Sequence, residues 1–303
     1  MNVEEPVAVV SHDAGGAEIL SSYLRREPRP HLLAIEGPAR KVFERKFGSI
    51  RTIAPELAIQ SASWVLCGTS WQSDLEWRSL RLARVMGKRS VTFLDHWVNY
   101  RQRFKRGGEQ HLPDEIWVAD EYAARLASDC FAGLPIRLMG NPYFEDLRAE
   151  LKTMRGPDPA RRAGPVVLYV CEPVRAHALF QHGNERYWGY VEEEVLAYLL
   201  QNLQAIASDI ARIVVRPHPS EPGGKYSWVP EQSEVPVEIS DQTTLIQDIA
   251  AADIVVGIES MAMVVGLLAG KRVLTAIPPG GRSCVLPHDG IESLRNLVGG
   301  GEI

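Results

Sequence analysis

A histidine between two prolines is the clearest candidate for chemistry in this sequence. The segment Ile213–Glu221 reads IVVRPHPSE, and its apolar run ends at Arg216. Proline fixes φ and has no backbone N–H, so two flanking prolines give the side chain of His218 a stiff mount. With Arg216 and Ser220 beside it, such a histidine could hold a phosphate group. The alternative is a rigid surface loop without a binding role.

A second candidate lies in ADIVVGIESMAMVVGLLAGKRVL. A short apolar run there is followed by apolar residues at the spacing of a helix. Gly257 ends the run, and Glu259 and Ser260 come just before the helix. The free N–H groups at a helix start favour an anion, and the hydroxyl of Ser260 could add a hydrogen bond. The alternative is that Ser260 only caps the helix, and the two roles are compatible.

The first half of the chain carries a histidine–aspartate pair near two glycines. In SHDAGGAE, His12 and Asp13 precede Gly15 and Gly16, which we expect to form a turn. The glycines would let a sugar or an acceptor approach the backbone. The segment is like a phosphate loop, but it has neither the GxGxxG pattern nor the lysine of a P-loop.

A further acid and histidine lie in FLDHWVNYRQRFKR. Asp95 or His96 could serve as a general base that deprotonates a hydroxyl nucleophile, while a capping role is the alternative for Asp95. Arg101 and Arg103 belong to the basic run that follows. Such a run is usually a solvated face, but beside a site it could hold an anionic acceptor.

All these candidates follow short apolar segments, which alternate with amphipathic ones. The predicted strands are Pro6–Ser11, His31–Ile35, Ala62–Cys67, Ser90–Leu94, Glu115–Val118, Val166–Val170, Ile213–Val215, Asp253–Val256 and Arg272–Ala276. The predicted helices include Ala17–Arg26, Leu75–Met86, Val191–Ala207, one opened by the capping box Thr244-x-x-Gln247, and one over Met261–Leu268. This alternation predicts βαβ units and mostly parallel sheets, whose ligands bind outside the carboxyl ends of the strands.

The alternation is interrupted once, at MRGPDPARRAGP over Met154–Pro165. A stretch rich in proline, glycine and arginine is typical of a linker. The chain of 303 residues is long enough for two domains. We therefore predict an α/β protein with two Rossmann-like domains, one at 1–155 and one at 165–303.

Composition excludes several classes of protein. A net charge of −5 gives no overall bias toward nucleic acid. The four cysteines form no CxxC pair, which argues against zinc and disulfides and suits a reducing cytosol. The acidic N-terminus is unlike a signal peptide, and the most apolar run, Ile254–Gly270, is interrupted by Glu259. We expect a cytoplasmic protein without a transmembrane segment, metal or cofactor.

The motifs RPHP, GNPYFE and ADIVVGIESMAMVVGLLAGKRVL, with a Gly-Gly first loop, resemble the GT-B superfamily of nucleotide-sugar glycosyltransferases. The pair His218-Pro219 is similar to the HP motif of bacterial sialyltransferases, capsule Kdo transferases and glycerophosphotransferases. Those families use CMP- or CDP-activated donors. The resemblance implies that His218 contacts the donor phosphate and that Ser260 assists it.

The same families carry an acidic pair followed by glycine after a strand of the N-terminal domain, and one acid of the pair is the proposed base. The segment FLDHW resembles it and retains Asp95, but His96 and Trp97 replace the second acid and the glycine. The base could therefore be Asp95, and His12, Asp13 and His96 are its rivals.

The resemblance implies a metal-independent glycosyltransferase of surface polysaccharide synthesis, with a glycan or lipid-linked acceptor. It also implies that 1–155 is the acceptor domain, that 165–303 is the nucleotide-sugar donor domain, and that the two face a cleft. Many members that use UDP-sugars carry a glutamate that holds the ribose in the helix after the serine. Val264–Gly266 fill that region here, and valine cannot accept a hydrogen bond, so a CMP-activated acidic sugar is favoured over a UDP-sugar. Peripheral contact with the inner face of the membrane would suit such a role. A nucleotide-sugar epimerase or hydrolase of the same fold, or a non-catalytic sugar-nucleotide-binding protein, is the alternative.

Overall fold

The chain folds into two compact α/β units, Met1–Asp146 and Leu147–Ile303, each built on a parallel sheet. The computed structural model describes residues 6–70, 73–154 and 164–299. Most of the predicted linker, residues 155–163, lies outside the described residues. The division between the units falls within the helix Pro142–Thr153.

Unit 1 has a six-stranded parallel sheet in the order β2-β1-β3-β4-β7-β8 and a small β5–β6 hairpin. Its strands are β1 Val7–Ser11, β2 His31–Ile35, β3 Trp64–Cys67, β4 Arg89–Leu94, β5 Lys105–Arg106, β6 Glu109–Gln110, β7 Glu115–Val118 and β8 Ile136–Leu138. Its helices are α1 Ala14–Arg26, α2 Gly37–Phe47, α3 Pro55–Ser61, α4 Leu75–Val85, α5 Tyr100–Arg103, α6 Glu121–Cys130 and α7 Pro142–Thr153.

Unit 2 has a second six-stranded parallel sheet, in the order β11-β10-β9-β12-β13-β14. Its strands are β9 Val166–Val170, β10 Arg212–Arg216, β11 Val237–Ile239, β12 Ile254–Gly257, β13 Arg272–Thr275 and β14 Ile291–Ser293. Its helices are α8 Val174–His182, α9 Glu192–Gln201, α10 Leu203–Ile206, the 3₁₀ helix Val229–Gln232, α11 Leu245–Ala251, α12 Met261–Leu268 and α13 Leu294–Val298. Counted from β9, the strand order is 3-2-1-4-5-6, the doubly wound order of a dinucleotide-binding domain.

The central strands of both sheets are buried on both faces, which explains their continuous apolar runs. All five residues of β1 and of β9 are buried. Helices then cover the faces of each sheet, as the alternating pattern predicted. The prediction of two Rossmann-like α/β units with parallel sheets is confirmed. The helix Met261–Leu268 and the reciprocal hydrogen bonds of the capping box at Thr244 are also confirmed.

Three predicted details were wrong. Gly15 and Gly16 form no turn, because α1 already begins at Ala14. The helix predicted over Val191–Ala207 is interrupted at Asn202, whose side-chain amide donates to the carbonyl of Tyr198 instead of letting the helix continue. The last strand read from the sequence was Arg272–Ala276, whereas the short strand β14 follows it and pairs with β13 at the edge of the sheet.

Candidate functional site

Both sheets have a switch point, where consecutive strands lie on opposite sides of the first strand, and the candidate residues gather there. In unit 2 the switch point lies between β9 and β12, and in unit 1 between β1 and β3. A crevice opens outside the carboxyl ends of the strands at such a point, and ligands of this fold class bind in it. The predicted site residues of each unit follow strands at or next to its switch point.

His218 follows β10, and contacts within its own loop orient its ring. The backbone N–H of Ser220 donates to Nδ1 of His218 at 3.2 Å, and the hydroxyl of Ser220 lies 2.7 Å from the same atom. Burial lowers the pKa of His218, and the nearby Glu221 offsets this only in part. Because a backbone N–H can only donate, we assign the proton of the neutral ring to Nε2. His218 is therefore a half-buried hydrogen-bond donor on a backbone segment that two prolines restrict.

A buried ionic cluster behind His218 fixes the loop. Glu221 accepts from the backbone N–H of His218 at 2.9 Å, from the hydroxyl of Tyr226 at 2.8 Å and from Nζ of Lys225 at 2.9 Å. Lys225 also pairs with Glu192, which is almost fully buried. The positive charge of Lys225 is thus used to bridge two carboxylates, and the cluster holds His218 in place.

The loop after β12 already contains an internal anion-binding contact. Oε1 of Glu172, which follows β9, accepts from the backbone N–H groups of Ile258 at 3.1 Å and Glu259 at 2.7 Å. Burial raises the pKa of Glu172 to about 8, and the charge of Glu259 adds to the rise. Ser260 caps α12 by accepting from the N–H of Ala262 at 3.1 Å. The N–H groups predicted to hold a phosphate therefore hold a carboxyl group that is readily protonated.

Two predicted donor-binding charges are used within the protein. Arg216 donates to the buried carboxylate of Asp248 at 2.6 Å and to Ser240 at 3.2 Å, which ties the end of β10 to α11. Glu259 pairs with Arg282, whose guanidinium lies 4.3 Å from the ring centroid of Trp188. The charges of Arg216 and Glu259 are therefore already paired within unit 2.

In unit 1, His12 and Asp13 form a dyad at the end of β1. Nδ1 of His12 lies 2.7 Å from Oδ1 of Asp13, and the hydroxyl of Ser70 donates to the same oxygen at 2.8 Å. An aspartate in this position fixes the ring with its proton on Nδ1 and leaves Nε2 as the basic nitrogen. A β-carbon on Gly37 would lie 2.4 Å from Nε2, so glycine is required there, where φ is also +53°.

Glu76 lies beneath this dyad and was not singled out from the sequence. It is 4% exposed, and its Oε1 accepts from the backbone N–H of His12 at 2.7 Å. Its Oε2 is buried without a hydrogen-bond partner among the described residues. Burial raises the pKa of Glu76 to about 7, although the His12 N–H opposes the rise. The sequence signal was only an acid at the second position of a helix.

Asp95 is built into the packing of unit 1. Its Oδ1 accepts from the guanidinium of Arg103 at 2.7 Å and from the hydroxyl of Thr69 at 3.0 Å. A β-carbon on Gly15 would lie 2.3 Å from its Oδ2, so the glycine allows the first turn of α1 to approach the carboxylate. Arg103 is 7% exposed and is not part of a solvated face. Asp95 is therefore ion-paired within unit 1.

The remaining predicted residues of unit 1 are more loosely connected to this edge. Nδ1 of His96 accepts from the backbone N–H of Trp97 at 2.9 Å, so this nitrogen is turned toward its own chain. Gly16 packs α1 against β3, since a β-carbon on it would lie 3.3 Å from Cα of Gly68. Arg101 is exposed. Of the four predicted candidates for the base, His12 and Asp13 contact each other, with an imidazole nitrogen 2.7 Å from a carboxylate oxygen.

Replacing Glu76 with glutamine is expected to remove part of the pH dependence of stability. A glutamate with a raised pKa binds its proton more tightly in the folded chain than in the unfolded chain. The contribution of Glu76 to stability is therefore complete below about pH 4.3, the ordinary pKa of glutamate, and is lost as the pH rises through its folded pKa of about 7. Between pH 5 and pH 8 the wild type should lose about 3 kcal/mol more unfolding free energy than Glu76→Gln, as an upper estimate. Urea denaturation at both pH values measures this difference. The exposed Glu150→Gln is the control, and equal slopes for wild type and Glu76→Gln would contradict the prediction.

No protein-family model matches the chain, and no curated protein matches it. Solved structures do match. A Listeria monocytogenes protein described as a UDP-N-acetylglucosamine 2-epimerase has a TM-score of 0.64 at 11% identity, over 98% of this chain and 86% of its own. The UDP-GlcNAc 2-epimerase of Methanocaldococcus jannaschii has a TM-score of 0.57 at 11% identity, over 89% of this chain and 83% of its own. The glycotransferase of kitacinnamycin has a TM-score of 0.58 at 12% identity, over 97% and 89%.

The chain shares the GT-B-like fold of these proteins. At such low identity the likeness extends to the fold alone, and the chemistry has to be argued from the residues. Within the described ranges, no group of three or more histidine, cysteine, aspartate or glutamate side chains could hold a metal ion. No helix of the same ranges is long and apolar enough to cross a bilayer.

Proposed function

We propose that this protein is a glycosyltransferase that moves a sugar from a nucleotide donor to a hydroxyl of a glycan or lipid-linked acceptor. The observation that carries the proposal is the fixed tautomer of His218, a neutral donor at the switch-point edge of unit 2. A preorganised donor that meets charge as it develops on a departing phosphate lowers the barrier to transfer. The fold supports this proposal, because nucleotides bind at that edge in doubly wound sheets.

On the donor side, we propose that Nε2–H of His218 donates to the departing phosphate. The phosphate takes the place of the Glu172 carboxyl group as the acceptor for the N–H groups of Ile258 and Glu259. The hydroxyl of Ser260 donates a further hydrogen bond to the phosphate. A pKa of about 8 makes this exchange less costly near neutral pH, because a protonated carboxyl group repels the phosphate less than a carboxylate does. Glutamine at position 172 tests this step, since it keeps the acceptor oxygen without the charge.

On the acceptor side, we propose that Nε2 of His12 takes the proton of the acceptor hydroxyl. Asp13 stabilises the imidazolium that forms, as its short contact with Nδ1 supports. The carboxylate of Asp95 is less suited to the task, because Arg103 and Thr69 use one of its oxygens and the start of α1 packs against the other.

For the nucleotide, we propose a cytidine donor, CMP-linked by preference. The support is that Val264 and Val265 are 2% exposed and offer no group for a ribose hydroxyl. A CMP-activated acidic sugar, a role in surface polysaccharide synthesis and a cytoplasmic location at the inner face of the membrane remain the proposals that the resemblance implies. A UDP-sugar is the alternative donor.

A thermal-shift panel with CMP, CDP, UDP and GDP tests the donor class. A ligand present at about 100 times its Kd stabilises the native state by about 2.7 kcal/mol, which should raise Tm by several degrees. We expect CMP or CDP to give the largest rise and His218→Ala to reduce it. A larger rise with UDP or GDP would overturn the cytidine assignment. No rise with any nucleotide would argue against a nucleotide-sugar function as a whole.

The second candidate function is epimerisation or hydrolysis of a nucleotide sugar. It is favoured by the titratable cluster of His12, Asp13 and Glu76, which could both remove and return a proton. The Listeria and Methanocaldococcus proteins are described as 2-epimerases of UDP-N-acetylglucosamine. An NMR assay with donor alone distinguishes the two candidates, because an epimerase or hydrolase needs no acceptor. Tight donor binding without turnover over an acceptor panel would instead indicate a non-catalytic binding protein.

A further inference from the structure

The outer surface of helices α3 and α4 exposes apolar side chains. Val85 is 76% exposed, Leu57 is 57% exposed and Met86 is 38% exposed. A groove of about 350 Å³ runs between the two helices, and its apolar lining includes Pro55, Leu75, Leu82 and Val85. We call this surface, formed by residues 55–57 and 75–89, the α3–α4 face. A contiguous exposed apolar surface of this kind is typical of an interaction site.

The α3–α4 face is also strongly basic. Residues 78–89 contain five basic and no acidic residues, in a chain whose net charge is −5. Arg78, Arg81 and Arg84 are exposed. Among the described residues, none of these three has an ion-pair partner, whereas Arg89 pairs with Glu115. Glu56, which lines the groove, is the exposed acid of this face, whereas Glu76 is buried. The surface therefore carries uncompensated positive charge beside protruding apolar groups.

We propose that the α3–α4 face binds the surface of an anionic phospholipid bilayer. Arginines attract the negatively charged headgroups, and apolar side chains at the same surface insert into the boundary with the acyl chains. An acidic soluble partner would match the charges, but it would not require Val85 and Met86 to protrude at the end of α4. A bilayer matches both features.

The position of this face separates it from the candidate site. α4 leads directly into β4, so Val85 and Met86 lie at the amino edge of the sheet of unit 1. His12 and Asp13 lie at the carboxyl edge of the same parallel sheet. Contact with a bilayer would thus leave the carboxyl edge uncovered. The inference deepens the proposed location at the inner face of the membrane by assigning the surface that makes the contact. Its test does not depend on the proposed transfer reaction.

Vesicle co-sedimentation of the full chain tests the inference. We expect binding to vesicles of equal parts phosphatidylcholine and phosphatidylglycerol, none to phosphatidylcholine alone, and weaker binding when salt rises from about 0.1 M to about 0.5 M. The variant Arg78→Glu/Arg81→Glu/Arg84→Glu should bind at least tenfold more weakly. Val85→Ser/Met86→Ser should bind several-fold more weakly at both salt concentrations, because it removes the apolar contribution.

Two matched variants control for general changes of charge and hydrophobicity. Lys41→Glu/Arg51→Glu/Lys105→Glu reverses three exposed charges elsewhere in unit 1, and Leu179→Ser/Phe180→Ser removes exposed apolar groups from unit 2. Both should bind within about twofold of the wild type, and circular dichroism should show that all variants are folded. The inference is overturned if the wild type does not bind anionic vesicles or if a control loses as much binding as its counterpart. A dimer abolished by Val85→Ser/Met86→Ser, without vesicle binding, would identify a second copy as the partner instead.

Discussion

Replacing His218 with alanine is expected to lower the turnover of the nucleotide sugar by about 10²–10³-fold, the usual cost of losing one donor to developing charge. The ring presents Nε2–H because Nδ1 accepts from the N–H of Ser220, and burial keeps the ring neutral. The donor is therefore in place before the phosphate departs. The loss should fall mainly on kcat, because the hydrogen bond strengthens as charge accumulates on the leaving group. Release of the nucleotide, followed by chromatography, measures it.

Two further histidine variants make this result specific. His218→Gln places an amide N–H near the position of Nε2 and should recover part of the activity. His31→Ala removes an exposed histidine of unit 1 whose ring lies near the carbonyl of Arg29 and the ring of Phe47, and it should have wild-type activity. Tm of each variant shows whether the fold is intact. Wild-type turnover by a folded His218→Ala variant would exclude the proposed role in phosphate departure.

The fold was predictable because buried strands and helix faces have characteristic patterns of apolar residues over short segments of the sequence. A strand buried on both faces, such as β1 or β9, is a continuous apolar run, and the helix Met261–Leu268 shows its buried face by the spacing of its apolar residues. Turn chemistry was less informative. Gly15 and Gly16 suggested a turn, whereas they are needed because another part of the chain packs against the first turn of a helix.

The candidate site was predictable only in part, because the sequence places residues at strand ends without naming their partners. His218 and its neighbour Ser220 are close in sequence, so their contact could be anticipated. The ion pair of Arg216 with Asp248 joins residues that are 32 positions apart. The hydrogen bond between His12 and Glu76 spans 64 positions. Whether a charge is available to a ligand or is already neutralised depends on such distant partners, and no local pattern reports it.

The dyad of His12 and Asp13 gives the second large expected effect. His12→Ala removes the nitrogen that we propose takes the acceptor's proton, and loss of a general base costs about 10²–10⁴-fold in rate. Asp13→Asn keeps the shape of the partner but removes the charge that stabilises the imidazolium, so it should lower the rate by a similar order. Initial rates of transfer to the acceptor measure both losses.

Asp95→Asn distinguishes this base from its main rival. Asp95 lies against Arg103, which is 7% exposed, so removing the negative charge leaves a buried cation without its partner. We therefore expect Asp95→Asn to lower Tm by several degrees, while the protein that remains folded keeps the transfer rate of the wild type. The opposite pattern, with a stable and inactive Asp95→Asn beside an active His12→Ala, would transfer the role of base to Asp95. The two outcomes differ because a base acts on the proton of the acceptor, whereas an ion-paired carboxylate acts on the fold.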